Sequence, residues 1–253
     1  MAAAIPAVAL VTGASRGIGR ATAQQLAARG VCVALNYHRN DAAANETLAA
    51  LPGSGHALFK ADISDPAACA ALVEAVRQHY GGIDVLVNNA GLYEEHDPRK
   101  VDFTEWAKIW QQTIAANLTG PAHLAFLATQ AMRHAGKGRI VNISSRGAFR
   151  GEPTAPAYGA AKAGLNSLGQ SLARALAPDS IYVFTIAPGW VATDMANAHL
   201  AGPNAAEILA QHPLGRVATP EEVAATVAWL ALDAPATMTG CIIDLNGASY
   251  LRT

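Results

Sequence analysis

The segment VALVTGASRGIG, residues 8–19, decides the fold that we expect for this chain. It leads from a short apolar strand through a glycine-rich turn into the helical pattern of Arg20–Arg29. Gly13 permits a tight turn, Gly17 lets a phosphate group approach the backbone, and Gly19 allows strand and helix to pack closely. The free N–H groups at the helix start favour an anion. The first two glycines are four residues apart rather than the usual two, yet the context predicts a dinucleotide-binding turn.

Strands and helices alternate along the rest of the sequence. Further strands are predicted at Val31–Asn36, His56–Lys60, Ile83–Val87, Ile140–Ile143, Ile181–Ile186 and Cys241–Leu245, and helices at Pro66–Tyr80, Val101–Ala135 and Pro220–Leu232. Gly120 and Pro121 are expected to interrupt the longest of these helical regions. The alternation predicts an α/β protein with a single-domain Rossmann fold over residues 1–253. We expect a doubly wound parallel sheet of about seven strands with helices on both faces.

A loop-rich insertion at about residues 190–213 follows the predicted sixth strand. It is long and contains glycine and proline, so Ala196–Pro213 is predicted to form a mobile lid over a substrate. Substrate specificity is expected to lie in Arg146–Pro156 and Ala187–Pro213, whose conformations the sequence does not determine.

The composition excludes several classes of function. The chain has 253 residues, of which 51% are hydrophobic and 15% charged, and its net charge of −1 leaves no basic excess for nucleic acid. No clean apolar run reaches the roughly 18 residues that a membrane helix needs. Ala2–Val11 resembles a signal-peptide core but lacks a basic leader, so we interpret it as part of the first strand. Three scattered cysteines predict neither a disulfide framework nor a metal site, and we expect a cytoplasmic protein.

The end of the second predicted strand indicates which dinucleotide binds. The residues Tyr37, His38 and Arg39 lie about twenty positions after the glycine turn, where a carboxylate would hold the ribose 2′-hydroxyl of NAD. No carboxylate is present among them, and Arg16 and Arg39 are available for a 2′-phosphate. The sequence therefore favours NADP(H).

The segment GRIVNISSRGAFRGEPTAPAYGAAK, residues 138–162, supplies candidate catalytic groups. Ser145 follows a predicted strand, while Tyr158 and Lys162 lie four residues apart, on one face of a predicted helix. An ammonium about 4 Å from a phenol at an effective dielectric of about 20 is worth about 4 kcal/mol, so we expect the pKa of Tyr158 to fall from about 10 towards 7. A tyrosine and lysine at this spacing often occur by chance, and the interpretation depends on the surrounding motifs.

Taken together, the motifs resemble those of the short-chain dehydrogenase/reductase family over nearly the whole chain. They are TGASRGIG at 12–19, Asp62, NNAG at 88–91, Asn117, Ser145, YGAAK at 158–162, and PGW with Thr193, in the family's order. The resemblance implies catalytic roles for Asn117, Ser145, Tyr158 and Lys162, with Ser144 as a packing neighbour. It also implies that the cofactor is bound by Gly13, Ser15, Arg16, Gly17, Ile18, Gly19, Tyr37, His38, Arg39, Asp62, Ile63, Asn89, Ala90, Gly91, Tyr158, Lys162, Pro188, Gly189, Val191 and Thr193.

The resemblance implies an NADP(H)-dependent oxidoreductase that interconverts a ketone and a secondary alcohol. IAPGWVATDM at 186–195 and LNGASY at 245–250 are similar to bacterial 3-oxoacyl-[acyl-carrier-protein] reductases. Two features depart from that subgroup, namely Asp179 and the acidic stretch Tyr93–Asp97. Their negative charge would repel an acidic carrier. A sugar, polyol or steroid dehydrogenase is the alternative within the family, and a non-catalytic dinucleotide-binding sensor is the alternative outside it. By the same resemblance we expect a homo-oligomer, dimer or tetramer, and a small-molecule substrate.

Overall fold

The computed structural model of the chain describes residues 7–203 and 205–252. Its strands are β1 (Val8–Val11), β2 (Cys32–Tyr37), β3 (Ala57–Lys60), β4 (Val85–Asn88), β5 (Gly138–Ile143), β6 (Ile181–Pro188) and β7 (Ile242–Leu245). Its helices are α1 (Gly17–Ala27), α2 (Asp41–Ala49), α3 (Pro66–Tyr80), α4 (Phe103–Ile114), α5 (Gly120–Ala135), α6 (Gly147–Arg150), α7 (Pro156–Leu176), α8 (Asp194–Leu200), α9 (Ala205–Ala210) and α10 (Pro220–Leu232). A π-helical turn, Ala115–Thr119, joins α4 to α5.

The strands form one sheet in the order β3-β2-β1-β4-β5-β6-β7, and every neighbouring pair is parallel. The chain first builds outward from β1 to β3 and then returns to place β4 on the other side of β1. In sheets of this kind, ligands bind beyond the carboxyl ends of the strands where the order reverses. The predicted doubly wound parallel sheet is confirmed.

Alternate residues of each strand face two helical layers, as the two-residue period of a strand requires. Ala9 and Val11 of β1 belong to an apolar cluster that α1 and α10 cover, and Val8 and Leu10 belong to a cluster that α3 and α5 cover. The sheet is therefore buried on both sides, which leaves the strand ends as the place for a site. Among the described residues, no helix is long and apolar enough to cross a membrane.

Helices α3 and α10 begin and end at their predicted residues because the sequence provides the residues that cap them. The Asp65 side chain accepts a hydrogen bond from the N–H of Ala67 at the start of α3, and Gly81 adopts φ +85° after its end. At the start of α10, the Thr219 side chain accepts from the N–H of Glu222, and the Glu222 carboxylate accepts from the N–H of Thr219.

Four segments differ in detail from the predicted elements, and the first is α1, which lies at Gly17–Ala27 rather than Arg20–Arg29. The π-helical turn interrupts the long helical region Val101–Ala135, and Gly120, the first residue of α5, follows it directly. A Cβ on Gly120 would lie 2.3 Å from the carbonyl oxygen of Ile63, so this glycine allows close packing. The insertion at residues 190–213 contains α8 and α9, and the short α6 lies between Ser145 and Tyr158. Residues 1–6 of the apolar segment Ala2–Val11 lie outside the described residues, and its strand begins at Val8.

Candidate active site

A cleft of about 990 Å³ opens at the carboxyl ends of β1, β2, β4, β5 and β6. It is lined by all of the residues that the sequence assigned to the cofactor and to catalysis, except Gly19 and Asn117. Those two residues are buried behind its wall. The topology thus brings together groups that are as far apart in the chain as Gly13 and Thr193.

The glycine turn is shaped as a phosphate site. Gly13 and Gly17 adopt φ +64° and +52°, a left-handed conformation that other residues rarely take. A Cβ on Gly19 would lie 2.3 Å from the carbonyl oxygen of Gly13. At the start of α1 the N-cap residue Arg16 makes no side-chain cap hydrogen bond, and no acidic residue lies in the first turn. The helix N–H groups therefore remain available to an anion.

Asn89 and Thr12 fasten this turn to β4. The Asn89 amide donates to the carbonyl oxygen of Thr12 at 2.8 Å, and the Thr12 hydroxyl oxygen accepts from the N–H groups of Asn89 and Ala90 at 2.9 Å. The sequence interpretation placed Asn89 beside the ribose, and the structure gives its side chain a bracing role. The sequence interpretation missed the role of Thr12, although this residue belongs to the quoted glycine segment.

Two arginines and a histidine lie at the far end of the cleft. Arg16, His38 and Arg39 are exposed and line it, and among the described residues neither arginine makes an ion pair. Asp62 lies 3.5 Å from His38 and accepts hydrogen bonds from the N–H and hydroxyl of Ser64. These guanidiniums are free for a phosphate.

Tyr37 departs from the role that the sequence suggested. Its ring is buried, and its hydroxyl donates to Asp41 at 2.8 Å. Asp41 also pairs with Lys60 at 2.9 Å, which lowers the pKa of this carboxyl, and Asp41 does not line the cleft. The nearest carboxylate after β2 is thus already engaged, and the Tyr37 hydroxyl is not free for a cofactor.

The serine, tyrosine and lysine converge at the other end of the cleft. The Ser145 hydroxyl oxygen accepts from the N–H of Gly147 at 3.0 Å. Lys162 is buried, donates to the carbonyl oxygen of Ile143 at 2.8 Å, and places its ammonium 5.6 Å from the centre of the Tyr158 ring. Ser144 is buried and donates to the carbonyl oxygen of Lys162, so it packs as expected.

The prediction that Tyr158 has a pKa near 7 is wrong for the protein's own groups. Burial raises the pKa of Tyr158 to about 12, with the charge of Glu152 and the neighbouring Tyr93 adding to the rise, while a hydrogen bond with Ser145 opposes it. Burial lowers the pKa of Lys162 to about 8. The expectation failed because it counted the attraction of the two groups and omitted the cost of removing both from water.

Asn117 lies in the π-helical turn and is fully buried. Its amide donates to the carbonyl oxygen of Leu92, and its side-chain oxygen accepts from the N–H of Leu92, both at 2.8 Å. A Cβ on Gly91 would lie 3.1 Å from this oxygen and 3.6 Å from the Lys162 nitrogen, so Asn117 and Lys162 flank the same glycine. The side chain therefore holds the loop after β4 against the site.

The segment after β6 closes the remaining side. The N–H of Gly189 donates to the carbonyl oxygen of Leu245, and Val191 forms an isolated bridge with Ala218. Thr193 is the N-cap residue of α8, and a Cβ on Gly17 would lie 3.2 Å from its methyl group. The residues after β6 thus pack directly on the glycine turn.

Four aromatic rings form a wall that the sequence interpretation missed. The ring of Tyr93 lies 5.0 Å from that of Tyr158 and 5.7 Å from that of His199, which lies 5.2 Å from Trp190. These residues come from a loop, α7, α8 and the segment after β6, and no periodic pattern connects them. Only tertiary structure brings them together.

The acidic stretch near the mouth is partly neutralised. Asp97 pairs with Arg99 at 2.8 Å, which lowers the pKa of that carboxyl to about 2. Asp179, on the surface after α7, pairs with Arg133 at 2.9 Å. Glu94 and Glu95 remain exposed, and Glu94 lines the cleft.

Comparisons with known proteins agree with this geometry. A family model described as "Enoyl-(Acyl carrier protein) reductase" matches residues 13–247. The 3-oxoacyl-[acyl-carrier-protein] reductase FabG of Escherichia coli (strain K12) is 39% identical over 245 residues, covering 96% of this chain and 97% of the relative. The acetoacetyl-CoA reductase of Rhizobium meliloti (strain 1021) is 40% identical over 243 residues, covering 96% and 98%.

A solved structure extends the similarity to three dimensions. The crystal structure of a variant of actinorhodin polyketide ketoreductase with NADPH has a TM-score of 0.89 and 33% identity, covering 99% of this chain and 100% of that one. Sequence motifs, sheet topology and whole-length relatives lead to one assignment, and the chain belongs to the short-chain dehydrogenase/reductase family of oxidoreductases.

Proposed function

We propose that this protein is an NADPH-dependent ketoreductase that converts a ketone into a secondary alcohol. The observation that carries the proposal is the convergence of Ser145, Tyr158 and Lys162 at one end of a cleft whose other end is a glycine phosphate turn. The named relatives are reductases of 3-oxoacyl and acetoacetyl thioesters, and the similar structure is a ketoreductase with NADPH. The reaction class is shared by all of them.

The residues of the cleft fit a dinucleotide phosphate. The glycine turn and the start of α1 would hold the pyrophosphate, and Arg16 and Arg39 would hold the 2′-phosphate by charge-assisted hydrogen bonds. Pro188, Gly189 and Thr193 would frame the nicotinamide, beside Lys162 on its ribose. When bound, NADPH supplies the hydride.

The side chains of the protein handle the proton. Tyr158, whose pKa of about 12 keeps it protonated at neutral pH, donates its proton to the substrate oxygen as the alcohol forms. Ser145 donates a hydrogen bond to the same oxygen and holds it in place. Asn117 holds the loop that borders Lys162, and we assign it the positioning of a water that reprotonates the site.

We propose that the ketone arrives free, or as a thioester without a carrier protein. Arg133 on the surface is bound to Asp179, and Glu94 and Glu95 add negative charge near the mouth of the cleft. An acidic carrier would meet no free cation at Arg133 and repulsion at the mouth.

We further propose that the chain works as one domain in a cytoplasmic homo-oligomer, with residues 190–213 as its substrate loop. The single sheet supports one domain, since every strand within residues 7–203 and 205–252 joins it. The loop carries His199 against Tyr93, so its closure would cover the ketone. Limited proteolysis tests the loop: we expect residues 196–213 to become protected by NADPH with substrate. Equal cleavage with and without NADPH and substrate contradicts a lid. Residue 204 of this segment lies outside the described residues.

The decisive experiment follows NADPH and NADH absorbance against a panel of 3-oxoacyl thioesters, diketones, sugars and cyclic ketones. We expect NADPH to exceed NADH at least tenfold in kcat/KM, because each charge-assisted contact to the 2′-phosphate is worth about 1.5–3 kcal/mol. Arg39→Ala should remove most of this preference, and Arg174→Ala on α7 serves as the control. Equal use of both cofactors by the wild type contradicts the cofactor assignment.

A further inference from the structure

The carboxylate of Glu152, which lies between Ser145 and Tyr158 in the sequence, has no assigned role. Glu152 lines the cleft between α6 and α7. A Cβ on Gly147 would lie 2.3 Å from its carboxylate oxygen Oε1, and a Cβ on Gly159 would lie 3.8 Å from its Cβ. One of these glycines follows Ser145 by two residues, and the other follows Tyr158 directly. The missing side chains make room for Glu152 beside the reacting groups.

The carboxylate is half-buried and has no protein donor. Within residues 7–203 and 205–252, no N–H or O–H group lies at hydrogen-bond distance from it, and no cation lies within ion-pair distance. Arg146 and Arg150, whose charges act on Glu152, each donate to the side-chain oxygen of Gln211 at 3.0 Å, and the Nη1 atom of Arg146 is buried without a hydrogen-bond partner. Burial raises the pKa of Glu152, while Arg150, Arg146 and His199 oppose the rise. The oxygens of Glu152 are therefore free to accept a hydrogen bond from a ligand in the cleft.

The surrounding charges determine which donor fits. Arg146 and Arg150 place positive charge near Glu152, so a substrate ammonium would be repelled as it approached. A substrate carboxylate would meet the negative charge of Glu152 itself. A neutral O–H group avoids both penalties and satisfies the free acceptor.

We propose that Glu152 determines substrate specificity by accepting a hydrogen bond from a hydroxyl group near the reacting carbonyl, so that the substrate is a hydroxyketone. This inference rests on the proposed ketoreductase function and narrows its substrate class. It favours polar ketones over plain acyl chains, because a long alkyl chain beside Glu152 would leave the carboxylate desolvated and unpaired.

The test uses matched pairs of ketones that differ by one hydroxyl: hydroxyacetone and acetone, 4-hydroxy-2-butanone and 2-butanone, and 5-hydroxy-2-pentanone and 2-pentanone. The kcat/KM of each is measured with saturating NADPH for the wild type, Glu152→Gln, Glu152→Ala and the control Glu95→Gln, whose carboxylate lies outside the cleft lining and accepts from Thr154. Acetoacetyl N-acetylcysteamine is included because its amide N–H is the other neutral donor.

We expect the wild type to prefer at least one hydroxyketone over its partner by about tenfold or more. Glu152→Ala should lower that ratio at least tenfold, mainly through KM, and Glu152→Gln should lower it about threefold, because a neutral acceptor forms the weaker bond. Glu95→Gln should keep the wild-type ratio. If Glu152→Ala does not fold, as judged by NADPH binding and thermal melting, the Gln variant decides the matter.

Wild-type ratios within twofold for all three pairs, or a ratio that Glu152→Gln and Glu152→Ala leave unchanged, would overturn the inference while the reductase function stands. A preference confined to the N-acetylcysteamine thioester would replace the hydroxyl by an amide and also overturn it. Absence of turnover with every ketone, both plain and hydroxylated, would overturn the proposed function and with it this inference.

Discussion

Burial acts on Tyr158 and Lys162 in opposite directions, raising the pKa of the first to about 12 and lowering that of the second to about 8. Both shifts favour the uncharged side chain, as removal from water always does. A phenol that keeps its proton at neutral pH is suited to donate it to a carbonyl oxygen. Tyr158 therefore holds the proton that ketone reduction consumes.

Tyr158→Phe should lower kcat for ketone reduction by at least about 100-fold, because it deletes the proton donor and keeps the ring. The Kd for NADPH, from fluorescence titration, should stay near the wild-type value, since the variant keeps the ring of residue 158 and all other residues assigned to the cofactor. Tyr182→Phe on β6 is the control, because its ring packs near Arg139 outside the cleft. Near-normal turnover of Tyr158→Phe removes this residue from the mechanism.

Lys162→Met should abolish activity yet stabilise the protein at pH 7. The pKa of Lys162 falls from 10.5 in the unfolded chain to about 8 in the fold. Below pH 8 the folded protein therefore carries the whole cost of the buried ammonium, about 3 kcal/mol at 1.36 kcal/mol per pKa unit. The lost hydrogen bond to Ile143 offsets about 1 kcal/mol. We expect a net gain of about 2 kcal/mol, seen as a rise in Tm of about 4–8 °C.

The stabilisation by Lys162→Met is confined to a defined pH range. Wild-type stability should increase between pH 8 and 10.5, as the folded protein loses the proton before the unfolded chain does, so the advantage of Lys162→Met should disappear there. Thermal melts from pH 6 to 10.5 measure it. Lys108→Met removes an exposed lysine of α4 and should show no such trend. A Lys162→Met variant less stable than wild type at pH 7 contradicts the assigned burial cost.

At the scale of elements, the π-helical turn between α4 and α5 connects the site to the fold. Single-turn π-helices often occur at functional sites. This one turns Asn117 inward to make both hydrogen bonds with the backbone of Leu92. An ordinary helix through residues 115–119 would point the side chain elsewhere, and the loop after β4 would lose its brace.

Asn117→Ala should destabilise the protein by about 2–4 kcal/mol in urea unfolding, because two buried hydrogen bonds are lost and their partners remain unpaired. Asn117→Asp keeps the oxygen that accepts from the N–H of Leu92, but it loses the donor and places a carboxylate at a fully buried position facing the carbonyl oxygen of Leu92. Its destabilisation should therefore be at least as large as that of Asn117→Ala. Both variants should also slow turnover, since the Gly91 backbone borders Lys162. Unfolding of Asn117→Ala at the wild-type urea concentration contradicts the bracing role.

Sequence patterns predicted the elements whose signals are local. Helices α3 and α10 carry their caps, and the strands carry their apolar runs, so both were found within one or two residues. The cleft residues were found through glycine and proline motifs. Glu152, His199 and Trp190 lie in residues 146–156 and 187–213, where substrate specificity was predicted to lie. Individual roles for them could not be predicted, because their proximity depends on how these segments fold back over the sheet. The pKa of Tyr158 was missed because burial is a property of the whole fold.

At the scale of the whole molecule, the exposed aromatic rings indicate where a second copy would pack. Phe126 on α5 is 65% exposed and Phe103 at the start of α4 is 83% exposed. Apolar surface of this kind marks interaction sites when it is contiguous. On α7, Gly164 is half-buried against Leu118 and its exposed neighbours Ala160 and Ala163 are small, so this part of the helix exposes no large apolar side chain. For the proposed homo-oligomer, we therefore expect the subunit contact to involve α4 and α5.

Phe126→Glu should shift the protein to a smaller species in sedimentation velocity, where the wild type should sediment at a multiple of the 26.1 kDa chain mass. The added charge would be desolvated in the contact, and the apolar area would be lost. Asn45→Glu adds the same charge at an exposed position on α2, outside the expected contact, and should have little effect. A wild type that sediments as a single chain at micromolar concentration removes the homo-oligomer from the proposed function.

The order of the strands also governs how the polypeptide is made. Strand β1 lies inside the sheet, yet its neighbour β4 arrives much later, as shown by the bond from the N–H of Val8 to Asp84, 76 residues onward. At about 5–20 residues per second, a ribosome needs roughly 4–15 s to deliver that distance. During this interval one edge of β1 has no partner, and the nascent chain exposes an apolar ribbon to its neighbours. The rate of translation over the first third of the mRNA should therefore control the yield of folded enzyme.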